Sequence, residues 1–402
     1  MRSPAILRPL RHRDFRLLWT GQTVSRFGNF MYSVAQPFQI LALGGTPLQL
    51  GIGAAITTAT MLVFLLVGGV IVDRIPRRRI ILASDLASGC IVAIVAALGL
   101  SGALRIEHLY LASAFFGMSA AFFQPAMTAI IPELIPEDVL QSGNAVNGLS
   151  FQMARVAGPV VGGIIVATAG APSAFAIDAA TFFVSFVALS LARPPRREPP
   201  PPEPFLRQVR AGIAFTFSLP WLWITIALFA LVNLAIAGPL IVALPILVRD
   251  VLHGDAALYG AIGTVVGAGE IGGTLLSGQV RIRHAGMAMY AWAALTGVAV
   301  AGFGLVNAVP AILLFAFVQG LSLVGFQILW DTSLQRHVPR EMLGRVSSVD
   351  GFGSILLLPL GPLVFAALVE RIGPDGAFVI GGAIAAVLCL AALSVRSIRE
   401  LE

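Results

Sequence analysis

The sequence predicts an all-α membrane protein: twelve transmembrane helices in two six-helix pseudo-symmetric bundles. Three observations carry that prediction. The chain is 57% hydrophobic and 11% charged, and its apolar residues come in runs of about 20, the length of a spanning helix, not in alternating segments of about 10. Its arginines gather in short turns on alternate sides of these runs, as topology rules require. Its two halves repeat one another at an offset of 203 residues.

A basic tail over 1–14 leads into apolar runs near 15–43, 48–72, 80–101, 107–131, 145–170 and 172–192. Six more fall near 221–248, 257–279, 287–306, 309–331, 347–369 and 374–396. The most polar turn is Gly69-Val-Ile-Val-Asp73-Arg74-Ile-Pro76-Arg77-Arg78-Arg79, whose charges are too costly to leave in hydrocarbon. With the N-terminus cytoplasmic, Arg2, Arg8, Arg11, Arg13, Arg16, Arg74 and Arg77 to Arg79 face the cytoplasm. The later even-numbered turns, from Arg193 to Arg399, add to the same side. Only Arg105, Arg249 and Arg371 fall opposite. The positive-inside rule therefore places both termini in the cytoplasm. Nothing at the N-terminus reads as a cleaved signal peptide, because the first apolar run is long and lacks a small-residue cleavage site.

Between runs six and seven, the proline-rich stretch from Arg193 to Pro204 predicts an extended spacer. Phe205, Leu206, Val209, Ile213 and Phe217 then recur at helical spacing around Arg207 and Arg210. They form either a helix lying in the interface or the start of span seven. The expected organisation is an N-terminal bundle over 1–192, a cytoplasmic linker and interfacial helix over 193–220, and a C-terminal bundle over 221–402.

The repeat pairs Gly117, Ser119, Phe123, Gln124, Pro136, Leu140, Val146, Gly148, Gly158 and Pro159 with Gly320, Ser322, Phe326, Gln327, Pro339, Leu343, Val349, Gly351, Gly361 and Pro362. A parallel repeat about a long central connection is the pattern of a rocking-bundle transporter with its substrate site between the halves.

Composition removes other classes. All 26 basic residues are arginine, so there is no lysine for a phosphate-binding loop or a Schiff base, and ATP-driven transport by this chain alone is not expected. The net charge of +6 sits beside spans and makes no nucleic-acid footprint. Cys90 and Cys389 lie far apart in apolar runs, and the five histidines lie in tails, loops or at span ends. No disulfide, metal site or cofactor is expected. No catalytic motif and no loop able to hold a soluble site is present, against an enzyme or a non-transporting receptor.

Gly69-x-x-x-Asp73-Arg74-x-x-Arg77-Arg78 resembles the signature between spans two and three of the major facilitator superfamily. Arg155-x-x-Gly158-Pro159-x-x-Gly162-Gly163 resembles the antiporter motif of its fifth span. With Leu10-Arg-His-Arg-Asp14-Phe15-Arg16-Leu-Leu-Trp19 and Asp178-Ala-Ala-Thr-Phe-Phe-Val-Ser185, nearly the whole chain is similar to the drug:proton antiporter branch that includes macrolide and siderophore exporters. Pro76 stands where the signature often has glycine, and Asn29 where relatives often carry an acid. The second half keeps Arg281 and Arg283 without a preceding aspartate.

Gln22, Ser25, Arg26, Asn29, Tyr32, Ser33 and Gln36 form one polar stripe on span one. The stripe is either a cavity wall or a hydrogen-bonded seam, since a polar face at that depth must meet protein or water. The resemblance implies the cavity, because the superfamily places spans one, four, seven and ten there. Phe122, Phe123 and Gln124, their repeat mates Phe326 and Gln327, and Trp330 and Asn233 suit a partly aromatic, amphipathic substrate.

Glu270 lies near the midplane of span eight, among Gly263, Gly267, Gly269, Gly272 and Gly273. It is expected to bind and release a proton, with Arg155 at similar depth as its partner in one state, or else to form a permanent ion pair. Asp178, the other proton-coupling candidate, is expected mainly to hold a helix start or a neighbouring loop. Asp85 is expected to anchor the arginine turn. Asp331 and Asp350 are expected near cytoplasmic ends, neutralised by arginines in gate or anchor roles. Gly158 and Pro159 predict a kink in span five, with the same expected at Gly361 and Pro362. A cytoplasmic gate is expected from Gly69, Asp73, Arg74, Arg77 and Arg78. Asp73 faces a helix start capped by Ser347 and Ser348, and Arg77 pairs with Glu133.

The sequence thus predicts a monomeric secondary transporter of the bacterial inner membrane. It exports a hydrophobic or amphipathic small molecule in exchange for protons; the alternative is uptake or flipping of a lipid-like solute.

Overall fold

The computed structural model describes residues 5–193, 205–277 and 284–401; of residues 5, 66–74 and 205–208 it describes the backbone alone. Every regular element among the described residues is helical. In chain order these are α1 (Arg13–Ala42), α2 (Pro47–Arg74), α3 (Arg77–Leu100), α4 (Ile106–Leu134), α5 (Glu137–Ala169) and α6 (Ala171–Ser190). Then come α7 (Phe205–Ser218), α8 (Pro220–Gly238), α9 (Ala256–Ser277), α10 (Ala285–Phe303), α11 (Val309–His337), α12 (Arg340–Ile355), α13 (Leu360–Ala392) and the short α14 (Arg396–Arg399).

Among the described residues, nine helical stretches are long and apolar enough to cross a membrane, and they hold ten of the twelve predicted runs. The stretch Arg340–Ala392 holds the two last runs, because α13 turns back at Gly373, whose φ of 77° suits glycine. The first run, α1, is diluted by its polar stripe, and the eighth, α9, by Glu270 and its glycines.

The amphipathic segment after the linker is a helix of its own and not the start of span seven. Pro220 opens α8, and Leu219 before it is extended, the conformation that a following proline favours. Span seven continues beyond α8 as two π-helical turns, Pro239–Ala243 and Leu247–Val251, flanking Leu244–Ile246. Pro239 and Pro245 remove backbone donors there, and wide turns accommodate the loss. Pro159 lies inside the continuous α5, whereas span eleven leaves the helix over 356–359, just before Gly361 and Pro362.

The chain divides into two compact units. Unit 1 holds Met1–Thr46, Ile56–Pro201 and Asp255–Thr264; unit 2 holds Pro47–Ala55, Pro202–Gly254 and Val265–Glu402. In unit 1, α1 packs along α5 and α6, and α3 packs on α4 and α6. Its core gathers Phe15, Leu18, Ile81, Ile130 and Leu189. In unit 2, α13 packs on α8 and α10, and α10 on α11. Trp221, Tyr290, Phe326 and Trp330 fill that core.

The repeat has a physical counterpart in these packings. A Cβ on Gly117 of α4 would strike the Thr57 carbonyl of α2, and one on its mate Gly320 of α11 would strike the Val266 carbonyl of α9. Likewise Gly158 of α5 is pressed against Phe30 of α1, and its mate Gly361 of α13 against Leu234 of α8. The repeated glycines therefore mark close approaches between helices within each unit.

Candidate functional site

Within unit 1 the polar stripe of α1 divides among several neighbours. Gln22, 2% exposed, does not line a cavity. Its Nε2 donates to Ser185 Oγ of α6 at 2.9 Å and to Asp85 Oδ2 of α3 at 3.2 Å. Ser185 Oγ also donates to Asp85 Oδ2 at 2.7 Å. Asp85, 1% exposed, is thus the centre of a buried three-helix junction and does not anchor the arginine turn. Two donors on one carboxylate oxygen offset much of the cost of burying it.

Tyr32 is also buried and not a cavity wall. Its ring packs at 4.9 Å from Phe116 and 5.2 Å from Phe175. Its hydroxyl has no hydrogen-bond partner among the described residues. Asp178 is fully buried in the middle of α6, so it holds neither a helix start nor a loop. Thr181 Oγ1 donates to Asp178 Oδ1 at 3.3 Å, while Oδ2 finds no partner among the described residues. Gly28 of α1 leaves the room that this carboxylate and the Thr181 hydroxyl occupy.

Arg26 turns to α5. Its Nη1 donates to Ser150 Oγ at 2.8 Å and Asn147 O at 3.0 Å, and Nη2 donates to Asn147 Oδ1 at 2.8 Å. Its guanidinium stands 5.8 Å from the Phe151 ring centre. Gln36 is half-buried and donates to Ser113 Oγ of α4 at 2.8 Å. Asn29 on α1 and Gln124 on α4 are exposed, and Phe123 is half-buried. On the other side of α1, Gly162 of α5 packs against the Met31 backbone.

The arginine turn is ordered by pairs within unit 1. Arg77 Nη1 lies 3.5 Å from Glu133 Oε1, as expected. Arg78 donates to the terminal α6 carbonyls, Leu189 O at 3.2 Å and Ser190 O at 2.6 Å. Gly69, Asp73 and Arg74 belong to the last turns of α2, and their side chains lie outside the described residues, as do Arg281 and Arg283 entirely. Ser347 and Ser348 sit inside α12, not at its start, and Ser348 Oγ bonds back to Gly344 O.

In unit 2, Glu270 of α9 is fully buried beside the crossing of α9 and α11. Gly269 and Gly273 meet the Phe317 and Leu321 carbonyls there. Arg155 is half-buried on α5 and belongs to unit 1. Asn233 Nδ2 donates to Ser354 O at 2.9 Å. Phe326 is buried, stacked on Phe229 at 4.1 Å. Gln327 is exposed and donates to Asp331 Oδ1 at 3.1 Å. Asp350 is held by neutral donors, Trp330 Nε1 at 2.8 Å and Ser354 Oγ at 3.0 Å; among the described residues no arginine neutralises it.

Sequence reasoning missed Ser185, Asn147, Ser150 and Ser354 as the partners that orient these groups. The seven-residue spacing of Asp178 and Ser185, which puts both on one face of α6, is the signal that points to Ser185. No group of three or more His, Cys, Asp or Glu able to hold a metal occurs among the described residues.

A family model described as transmembrane secretion effector matches residues 4–402. The chain is 28% identical over 393 residues to a protein of Citrobacter koseri named enterobactin exporter EntS, covering 92% of this chain and 90% of that one. The Escherichia coli protein of the same name is 28% identical over 410 residues, covering 97% and 94%. Among solved structures, the nucleoside transporter NupG superposes with a TM-score of 0.73 at 13% identity, covering 94% of this chain and 99% of that one. A bacterial homologue of the iron transporter ferroportin gives a TM-score of 0.71 at 16% identity, covering 94% and 98%. These structures share the fold. The chain therefore belongs to the transmembrane secretion effector family of the major facilitator superfamily, multi-pass membrane transporters and not enzymes.

Proposed function

We propose that the chain exports an amphipathic, siderophore-like small molecule from the bacterial cytoplasm across the inner membrane, by alternating access and in exchange for protons. The observation that carries this reading is the similarity, over nine-tenths or more of the chain, to proteins named enterobactin exporter. Within unit 1 the exposed amides Asn29 and Gln124, with the Arg26 guanidinium and the Phe123 ring, support a surface for a polar, aromatic substrate.

Glu270 is the coupling carboxylate in this proposal. Taking up a proton changes the charge of a dry stretch of span eight, and such a change biases a two-state equilibrium. Arg155 supplies the positive charge that makes the two protonation states differ, and Asp178 is the second buried acid. The turn from Asp73 to Arg78, with Glu133, Gly158, Pro159, Gly162 and Asp350, serves the gating movements. The working unit is a monomer in the bilayer with both termini cytoplasmic.

Inverted membrane vesicles containing the chain test the reading. With an acid lumen they are expected to accumulate a catecholate siderophore, whereas vesicles without the chain are not. Equal uptake in the two would reject export of that substrate class.

A further inference from the structure

Unit 1 carries an apolar groove of about 460 Å³ between α3 and α4. One wall is Arg79, Ala83 and Ala87 of α3, and the other is Phe115, Met118 and Phe122 of α4. Positions 79, 83 and 87 are each one turn apart, hence one stripe along α3, while 115, 118 and 122 make the facing stripe. Small side chains opposite large ones produce the hollow. It runs about 12 Å along α3 from the arginine, at 1.5 Å per residue.

The three consecutive arginines are not equivalent. Arg77 pairs with Glu133 and Arg78 holds the end of α6. Arg79 is exposed, at the mouth of the groove, and its guanidinium makes no ion pair or hydrogen bond among the described residues. A single free guanidinium at the head of an apolar channel matches a phosphate joined to a hydrocarbon chain. Basic hollows between spanning helices on the cytoplasmic side are known to take anionic lipid headgroups, and each buried methylene adds favourable transfer energy. The positive end of the α3 dipole lies at the same level.

We propose that this groove binds one anionic phospholipid, with an acyl chain between α3 and α4 and the phosphate on Arg79. The proposal rests on the reading that the α2–α3 turn faces the cytoplasm. It does not depend on substrate or proton coupling, and its test measures neither.

The test is native mass spectrometry of the purified, delipidated full-length chain titrated with phosphatidylglycerol or with phosphatidylcholine. One phosphatidylglycerol adduct is expected to persist after phosphatidylcholine adducts are stripped. Arg79→Gln should lower its retention about fivefold, the equivalent of about 1 kcal/mol for one arginine at an anionic surface. Ala87→Phe, which fills the groove, should remove it. Arg336→Gln, an exposed arginine elsewhere, should leave it intact. Equal retention of the two lipids, full retention by Arg79→Gln, or displacement by inorganic phosphate would overturn the proposal. The Arg79→Gln arm stands even if Ala87→Phe fails to fold.

Discussion

Arg77 Nη1 lies 3.5 Å from Glu133 Oε1, joining the first turn of α3 to the last turn of α4. Their side chains are 16% and 12% exposed, so solvent screens the pair incompletely. A double-mutant cycle with Arg77→Gln and Glu133→Gln is expected to give a coupling energy of about 1 kcal/mol. Thermal unfolding of the four proteins in detergent measures it. A coupling indistinguishable from zero would reduce the contact to coincidence of position.

The junction of Gln22, Asp85 and Ser185 makes a stronger claim. Asp85→Ala leaves two buried donors without their acceptor, and is expected to cost about 2–3 kcal/mol. Asp85→Asn retains one acceptor oxygen and should cost less. Ser185→Ala removes one donor and leaves Gln22 in place, so it should fall between wild type and Asp85→Ala. Chemical unfolding of the purified variants ranks them; an Asp85→Ala protein as stable as wild type would contradict the geometry.

How far the sequence foretold these sites depends on what it encodes. The arginine turn and the Arg77–Glu133 pair were legible because charges have few places to go in a membrane chain. The direction of each stripe residue was not. Gln22 and Asn29 are seven residues apart and share one face of α1, yet Gln22 is buried and Asn29 exposed. Helical spacing fixes an angle around the axis, and the neighbour met at that depth decides the rest. At Gln22 the neighbours are Asp85 and Ser185, and at Arg26 they are Asn147 and Ser150. Likewise, the all-helical membrane fold followed from hydropathy. The break over 356–359 and the π-helical turns near Pro239 and Pro245 arise from how prolines are accommodated in packed surroundings, which composition does not state.

Two glycines give opposite expectations. A Cβ at Gly28 would overlap Thr181 Oγ1 and Asp178 Oδ1, whereas a Cβ at Gly148 would meet nothing within 4 Å. Gly28→Ala is therefore expected to destabilise by about 1–3 kcal/mol through overpacking. Gly148→Ala, inside α5 without a strained φ, should stabilise by about 0.5–1 kcal/mol. Melting temperatures in one detergent compare them. Matching shifts of the same sign would contradict the α1–α6 packing.

The central claim is that Glu270 carries the coupling proton. Its most direct test is transport of a catecholate siderophore into proteoliposomes with an imposed acid-inside gradient, comparing wild type with Glu270→Gln. A side chain that cannot lose or gain a proton should abolish accumulation against the substrate gradient while leaving substrate exchange at equal pH intact. Gradient-driven accumulation undiminished in Glu270→Gln would contradict the account.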